Sequence, residues 1–492
     1  MATRILAAWY FLGQDSGYPT VTGWTSWNGG TGGPNVQGTH KTVARAIARD
    51  GIVLLKNTNN ALPLKKPTSL ALIGQDAIVN PAGANACTDR DCDTGTLAMG
   101  WGSGTCQFPC LTAPYDAIST QAATDGTTLT ISNTDTTSSG AAVASAAATA
   151  IVFINSDSGE GYITVEGAAG DRLNLDPWHS GNALVAAVAA VNKNTIVVIH
   201  SVGPVILETI LALPNVVAVV WAGIPGQESG NGLVDMLYGS VAPSGKLPYT
   251  IGKQQSDYGT AIASGDDSYS EGLYIDYRHF DNAGITPRYE FGFGLSYTTF
   301  AYSGLTLSAI STTAGSTADA PGGFADLYDV VATVTATITN NGTVTGAEVP
   351  QLYIGLPTSA PASPPKQLRG FNKLSLAASA SGTATFKLRR KDLSYWDTTS
   401  QAWILPAGTF NVYIGASSRD IRLTGTMSAS GSSVATGSTA SVGATSTTSK
   451  RTTTSVGSTL TTSSTSKAAT TTSASSGTGT GSALYGQCGG IG

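Results

Sequence analysis

Ala150-Ile151-Val152-Phe153-Ile154-Asn155, followed after one residue by Asp157-Ser158-Gly159-Glu160-Gly161-Tyr162, is the stretch from which the fold can be read. An unbroken apolar, β-branched run between an Ala-rich segment and a Gly-rich loop predicts a strand buried on both faces of a parallel sheet. In open α/β sheets, ligands bind beyond the carboxyl ends of such strands. Glu160, set between two glycines at that end, is therefore the first candidate for a reactive carboxylate, and Tyr162 offers an aromatic face beside it. The competing local reading is a solvated turn acid, because a carboxyl in a loop is only a probabilistic pointer to function.

Working outward, strand-like runs alternate with helical ones from His40 to about Tyr249. The other runs are Ser69–Gly74, Thr195–His200 and Val216–Trp221, with Ala-rich segments such as Asn182–Val191 between them. This alternation predicts a mostly parallel sheet covered by helices on both faces. A Tyr- and Gly-rich connector, 250–323, has no sustained period. Short alternating strands then follow within 324–428, at Val331–Ile338, Glu348–Ile354, Gly382–Leu388 and Thr409–Ile414. Their spacing predicts an immunoglobulin-like sandwich. Asn341-Gly342-Thr343 is a glycosylation sequon placed where a surface turn is expected. Residues 429–482 are dominated by Ser and Thr and read as a disordered linker.

Composition narrows the partners. The 492 residues carry 26 Lys+Arg against 31 Asp+Glu, a net charge of −5, and only 12% of them are charged. Without clustered basic residues there is no electrostatic footprint for nucleic acid or for an anionic membrane. No run of eighteen apolar residues suggests a transmembrane helix. The first residues lack the small-residue cleavage site of a signal peptide and read as an amphipathic helix. Five cysteines are present. Cys87 and Cys92 flank a polar loop, and Cys106 and Cys110 form a second close pair; without nearby His these favour disulfides, with a zinc site as the alternative. No Gly-rich phosphate loop follows the strand ending at Ile73-Gly74, which argues against nucleotide binding.

Several long motifs carry a resemblance. Arg45-Ala46-Ile47-Ala48-Arg49-Asp50-Gly51-Ile52-Val53-Leu54-Leu55-Lys56-Asn57, Met99-Gly100-Trp101-Gly102-Ser103-Gly104, the stretch Trp221–Asn231, Pro243-Ser244-Gly245-Lys246-Leu247-Pro248 and Tyr289–Tyr297 together resemble family 3 glycoside hydrolases of the secreted fungal β-glucosidase kind. The resemblance runs from Met1 to about Met427. It implies an α/β sandwich domain over 40–249 followed by a fibronectin type III-like domain, and a retaining, two-carboxylate hydrolysis of terminal β-D-glucosyl residues from cellobiose and short cello-oligosaccharides. Glu160 matches the family's acid/base and Tyr162 an aromatic of the leaving-group subsite; Glu166 is the alternative acid/base. No metal or organic cofactor is implied.

The family's nucleophile would sit in a Ser-Asp-Trp motif of an N-terminal barrel, and that motif does not occur here. Residues 1–39 accordingly read as a barrel remnant and linker, and 483–492 as the start of a cellulose-binding module with Tyr485 as its first stacking aromatic. On this reading the chain alone is expected to be inactive, a protein with its signal peptide lost would be secreted, and Cys87 would pair with Cys92. Two further readings stay open: a non-catalytic carbohydrate-binding or interaction protein derived from such an enzyme, and a β-xylosidase of the same family. Trp101, Trp221 and His200 read as core residues, Glu228 as a first-turn acid, and Asp157 and Asp171 as turn or ion-pair partners.

Overall fold

The computed structural model describes residues 2–17, 37–86, 93–102, 105, 107–160, 164–261, 268–311, 319–320 and 323–430. Helix α1 is Ala2–Phe11 and α2 is His40–Gly51. The strands β1 (Val53–Asn57), β2 (Ser69–Ile73), β3 (Thr128–Ser132) and β4 (Thr149–Ser156) alternate with helices α3 (Pro114–Asp125) and α4 (Thr137–Ser145). A small hairpin, β5 (Thr164–Val165) and β6 (Ala168–Ala169), precedes α5 (Gly181–Val191), β7 (Thr195–Ser201), α6 (Glu208–Leu211), β8 (Val216–Trp221) and α7 (Ser229–Leu237).

Six of these strands form one sheet in the order β1-β8-β7-β4-β2-β3. All pairings are parallel except that of β1 with β8. The reason lies in strand chemistry: β4 and β7 have apolar centres, Ala150–Ile154 and Ile196–Ile199, that can bury both faces, with their polar residues at the strand ends. Ala150, Val152 and Ile154 join one core with α4, α5 and α6, while Ile151 and Phe153 join the other with α3 and α7. The three-layer α/β domain expected from the alternation of runs is thus present. Two of its strands, β1 and β3, lie at the edges of the sheet, where a short or half-exposed run gives a weak signal. The β1 edge is covered by chain: Leu295 N donates to Leu54 O at 2.9 Å, which removes an unpaired edge.

The chain order sets the position of the site. After β2 the chain crosses to β3 on one side, then returns past β2 to β4 and proceeds away from it through β7 to β8. The direction of winding therefore reverses between β2 and β4. The carboxyl ends of two such strands diverge, which opens a crevice.

The all-β sandwich follows. Its sheets are Ser381–Arg389 with Val330–Asn340 and β9 (Phe300–Leu307), and Gln367–Phe371 with Gln351–Gly355, Gly408–Gly415 and Ile421–Ala429. Strand β9 arises within the stretch that shows no period in sequence: it runs from buried Phe300 through half-buried Ala301 and Tyr302 to exposed Ser303 and Gly304, and it alternates only over its last residues. The run Glu348–Ile354 is not one strand. It breaks at Val349-Pro350: Gly346–Glu348 pairs with Leu374–Leu376, and Gln351–Gly355 with Gly408–Gly415. Proline has no N–H to give to a ladder. The sandwich is joined to the α/β domain by Lys246 Nζ to Glu348 at 3.0 Å, Lys373 Nζ to Asp50 at 2.6 Å and Gln351 Nε2 to Gly292 O at 3.0 Å. Asn341 is exposed in the turn after Val330–Asn340. The tail 431–492, with the linker and Tyr485, lies outside the described residues.

Candidate active site

Strand β4 ends at Ser156 beside the switch point, and the next four residues carry the candidate carboxylate there. Asp157 is buried and its Oδ1 accepts the Ser158 N–H at 2.8 Å, turning the chain sharply out of the sheet. Gly159 then passes so close to Trp101 that an added Cβ would lie 2.5 Å from Trp101 Cβ and 2.8 Å from its carbonyl oxygen. Only glycine allows that approach. Glu160 follows with an exposed side chain. Its Oε2 is 3.2 Å from where a Cβ would stand on Gly102, so a side chain there would displace the carboxylate. Tyr162 lies outside the described residues.

The opposite wall is the segment that follows β2. Asp76, just past that strand, is buried, and its Oδ1 accepts the Leu97 N–H at 2.8 Å. Thr96 N donates to Ile78 O at 2.7 Å, and Gly226 N to Ala98 O at 2.8 Å. These bonds fix Leu97–Gly102 across the strand ends. Trp101 closes the floor by packing its indole on Trp178, centroids 5.2 Å apart, and both rings are buried. Trp178 is held by its N–H on Asn155 O at 2.9 Å. Trp101 Nε1 is buried with no hydrogen-bond partner among the described residues.

The loop bearing Glu160 returns at Arg172. Arg172 N donates to Ser158 Oγ at 3.2 Å, and its Nη1 donates to Ser156 Oγ at 3.3 Å and Pro204 O at 3.0 Å. Burial lowers the guanidinium pKa from its ordinary value, opposed by nearby Tyr249 and Asp157. Asp171, read from sequence as an ion-pair neighbour, supplies none of these acceptors. Glu166 sits at the tip of the β5–β6 hairpin with φ of 49°, and its Oε1 accepts the His179 N–H at 2.5 Å.

His200 is fully buried, with Nδ1 2.6 Å from Asp76 Oδ2 and Nε2 3.4 Å from Ser229 Oγ. An Asp-His-Ser series of this kind has the order of a nucleophilic triad, but Ser229 is buried at 1% exposure and no substrate can reach it. Its role is to hold the sheet and α7 together. Glu228 is also buried, accepting from Gln227 Nε2 at 3.1 Å and Asn231 Nδ2 at 2.7 Å. Sequence reasoning missed Asp76, Arg172 and Gly102. The Gly102 motif was in view, but nothing local ties it to Glu160.

Cys110 is disulfide-bonded. It is the one cysteine among the described residues, so its partner, like Cys87 and Cys92, lies outside them. Among the described residues no group of three His, Cys, Asp or Glu side chains could hold a metal ion. No helix there is long and apolar enough to cross a membrane.

A family model described as glycosyl hydrolase family 3 C-terminal domain matches residues 52–297, and one described as fibronectin type III-like domain matches 348–418. Probable beta-glucosidase L of Aspergillus fumigatus is 64% identical over 428 residues, covering 87% of this chain and 58% of the relative. Among solved structures, beta-glucosidase D2-BGL from Chaetomella raphigera aligns with a TM-score of 0.85 at 70% identity, covering 87% of this chain and 60% of that one. Beta-D-glucoside glucohydrolase from Trichoderma reesei aligns at 0.82 and 62%, covering 87% and 59%. The chain thus spans less than two thirds of the length of each.

Proposed function

We propose that this chain, which belongs to glycosyl hydrolase family 3, acts in the hydrolysis of terminal β-D-glucosyl residues from cellobiose and short cello-oligosaccharides, with Glu160 as acid and then base. The observation that carries the reading is the placement of Glu160: an exposed carboxylate on the loop leaving β4 at the sheet's switch point, set against Gly102. The names of the similar β-glucosidases support the glucoside substrate.

In a retaining displacement, a carboxylic acid protonates the departing oxygen while a second carboxylate, about 5 Å away, attacks the anomeric carbon. The acid must then lose its proton to become the base that activates water. Glu160 suits both steps because it is reachable from solvent and rests on a rigid wall. Glu166, at the tip of the β5–β6 hairpin with its Oε1 accepting the His179 N–H, is the alternative. Secretion is part of the same reading: the disulfide at Cys110 is the kind of bond an oxidising compartment maintains. Cys87–Cys92 pairing, Tyr162 in the leaving-group subsite and cellulose binding through the tail belong to this proposal and rest on the resemblance of sequence.

The test is Glu160→Ala in the form of the protein that turns over aryl β-glucosides. Cleavage of cellobiose should fall by ~10²- to 10⁴-fold, the usual contribution of a general acid. Azide, a nucleophile that needs no base, should restore turnover on an activated aryl glucoside and yield β-glucosyl azide. Azide rescue of Glu166→Ala in place of Glu160→Ala would move the role to Glu166.

A further inference from the structure

We propose that Arg172 is a positioning residue for the acid/base step: it closes the neck of the loop that carries Glu160 and thereby sets where the carboxyl stands. The inference rests on the reading of Glu160 given above and extends it to a residue that does not touch the reacting bond.

The loop leaves β4 at Ser156 and comes back at Arg172, so fifteen residues from Ser158 to Arg172 hang on one closure. That closure is made by Arg172 itself. Its backbone N–H is on Ser158 Oγ at 3.2 Å, two residues from Glu160, while its guanidinium spans Ser156 Oγ at 3.3 Å on β4 and Pro204 O at 3.0 Å in the connection after β7. One residue, through its backbone N–H and its guanidinium, thus ties the loop to the end of β4 and to the connection that leaves the adjacent strand β7. The neighbouring residue is shaped to admit it: a Cβ on Gly203 would lie 3.0 Å from Arg172 Nη2. Both side-chain bonds leave from the one nitrogen Nη1, held in place by the planar guanidinium; a lysine would bring an ammonium on a flexible stem, without that fixed plane.

Positional control of a proton donor has a kinetic signature that general loss of structure lacks. An acid that stands in the wrong place slows only those substrates whose leaving group needs a proton. A displaced sugar site, or a partly unfolded protein, slows all substrates alike.

The experiment compares kcat/KM for phenyl, 4-nitrophenyl and 2,4-dinitrophenyl β-glucosides in the active form of the protein, with Arg172→Ala, Arg172→Lys, Ser158→Ala and Glu160→Ala. The expected result for Arg172→Ala is a loss of about tenfold or more on the phenyl glucoside, part of the range a general acid supplies, with the dinitrophenyl glucoside within about twofold of the parent. Guanidinium added to Arg172→Ala should recover part of the loss, and Arg172→Lys should show the same selectivity without that recovery. Should Arg172→Ala fail to fold, Ser158→Ala, which removes one acceptor and leaves the guanidinium in place, should give the same selectivity at smaller size. Equal losses on all three glucosides, or none, overturn the proposal if Glu160→Ala is itself selective. If Glu160→Ala lacks the selectivity, the assignment of the acid fails, and the role of Arg172 with it.

Discussion

His200 Nδ1 and Asp76 Oδ2 are 2.6 Å apart in a solvent-free interior, and they join the ends of β7 and β2 across the intervening β4. Asn155, at the end of β4, completes the bridge with its Nδ2 3.3 Å from Asp76 Oδ1. Three parallel strands are thereby pinned at the edge where the candidate site opens, and the Leu97 N–H on the same carboxylate carries the restraint into the wall beneath Glu160.

Breaking this bridge should be costly. Removing one partner of a buried, hydrogen-bonded pair leaves the other without compensation, at about 3–5 kcal/mol. We expect His200→Ala and Asp76→Ala each to lower unfolding stability in urea by about that amount, and the double variant to cost less than the sum of the two. A loss below about 1 kcal/mol for either single change would place the pair among those that contribute little.

Gly159→Ala should disturb the site more than the fold. The new methyl would press on Trp101 Cβ and on its backbone carbonyl, neither of which can rotate away. Overpacking of this kind costs about 1–3 kcal/mol. The expected outcome is a shifted Trp101–Trp178 emission spectrum and a loss of turnover on substrates with poor leaving groups, with the overall melting transition kept. An unchanged spectrum and unchanged turnover would show that the close approach has no functional consequence.

Buried tyrosines predict how the protein responds to alkali. Burial pushes the hydroxyls of Tyr238, Tyr258 and Tyr289 up to about 12, and raises those of Tyr249, Tyr297, Tyr302 and Tyr353 as well. In the unfolded chain these groups ionise near their ordinary value of 10. The unfolded state therefore releases protons first as pH rises, and stability is intact below pH 10 and lost as pH climbs towards 12 and beyond. A spectrophotometric titration should show exposed tyrosines ionising near 10 and the buried set ionising only together with loss of near-ultraviolet circular dichroism. A single smooth ionisation near 10 with the fold retained would contradict this.

The fold was legible where burial follows a local rule. The runs Ala150–Asn155 and Thr195–His200 carry unbroken apolar stretches, Ala150–Ile154 and Ile196–Ile199, which favour a strand covered on both faces; the structure places them at the centre of the sheet. Edge strands were less legible. In β3 Thr128 and Thr130 meet solvent on one side, and β9 was hidden because its partners lie further along the chain than its own spacing can report. Pro350 was visible, and its lack of an N–H explains a break that alternation alone concealed.

By itself the sequence determined the parallel α/β domain, the sandwich after it, and a glycine-flanked carboxylate at a strand end, since periodic burial, turn chemistry and motif spacing act over a few residues. Only the tertiary structure decided what surrounds that carboxylate. Asp76 and His200 are 124 positions apart, and Gly102 and Glu160 belong to loops after different strands. Their meeting depends on the order in which strands enter the sheet and on where the winding reverses. Arg172 carries the same lesson at shorter range, because a guanidinium finds Ser156 and Pro204 only after β4 and β7 have paired in register and brought both acceptors to one neck.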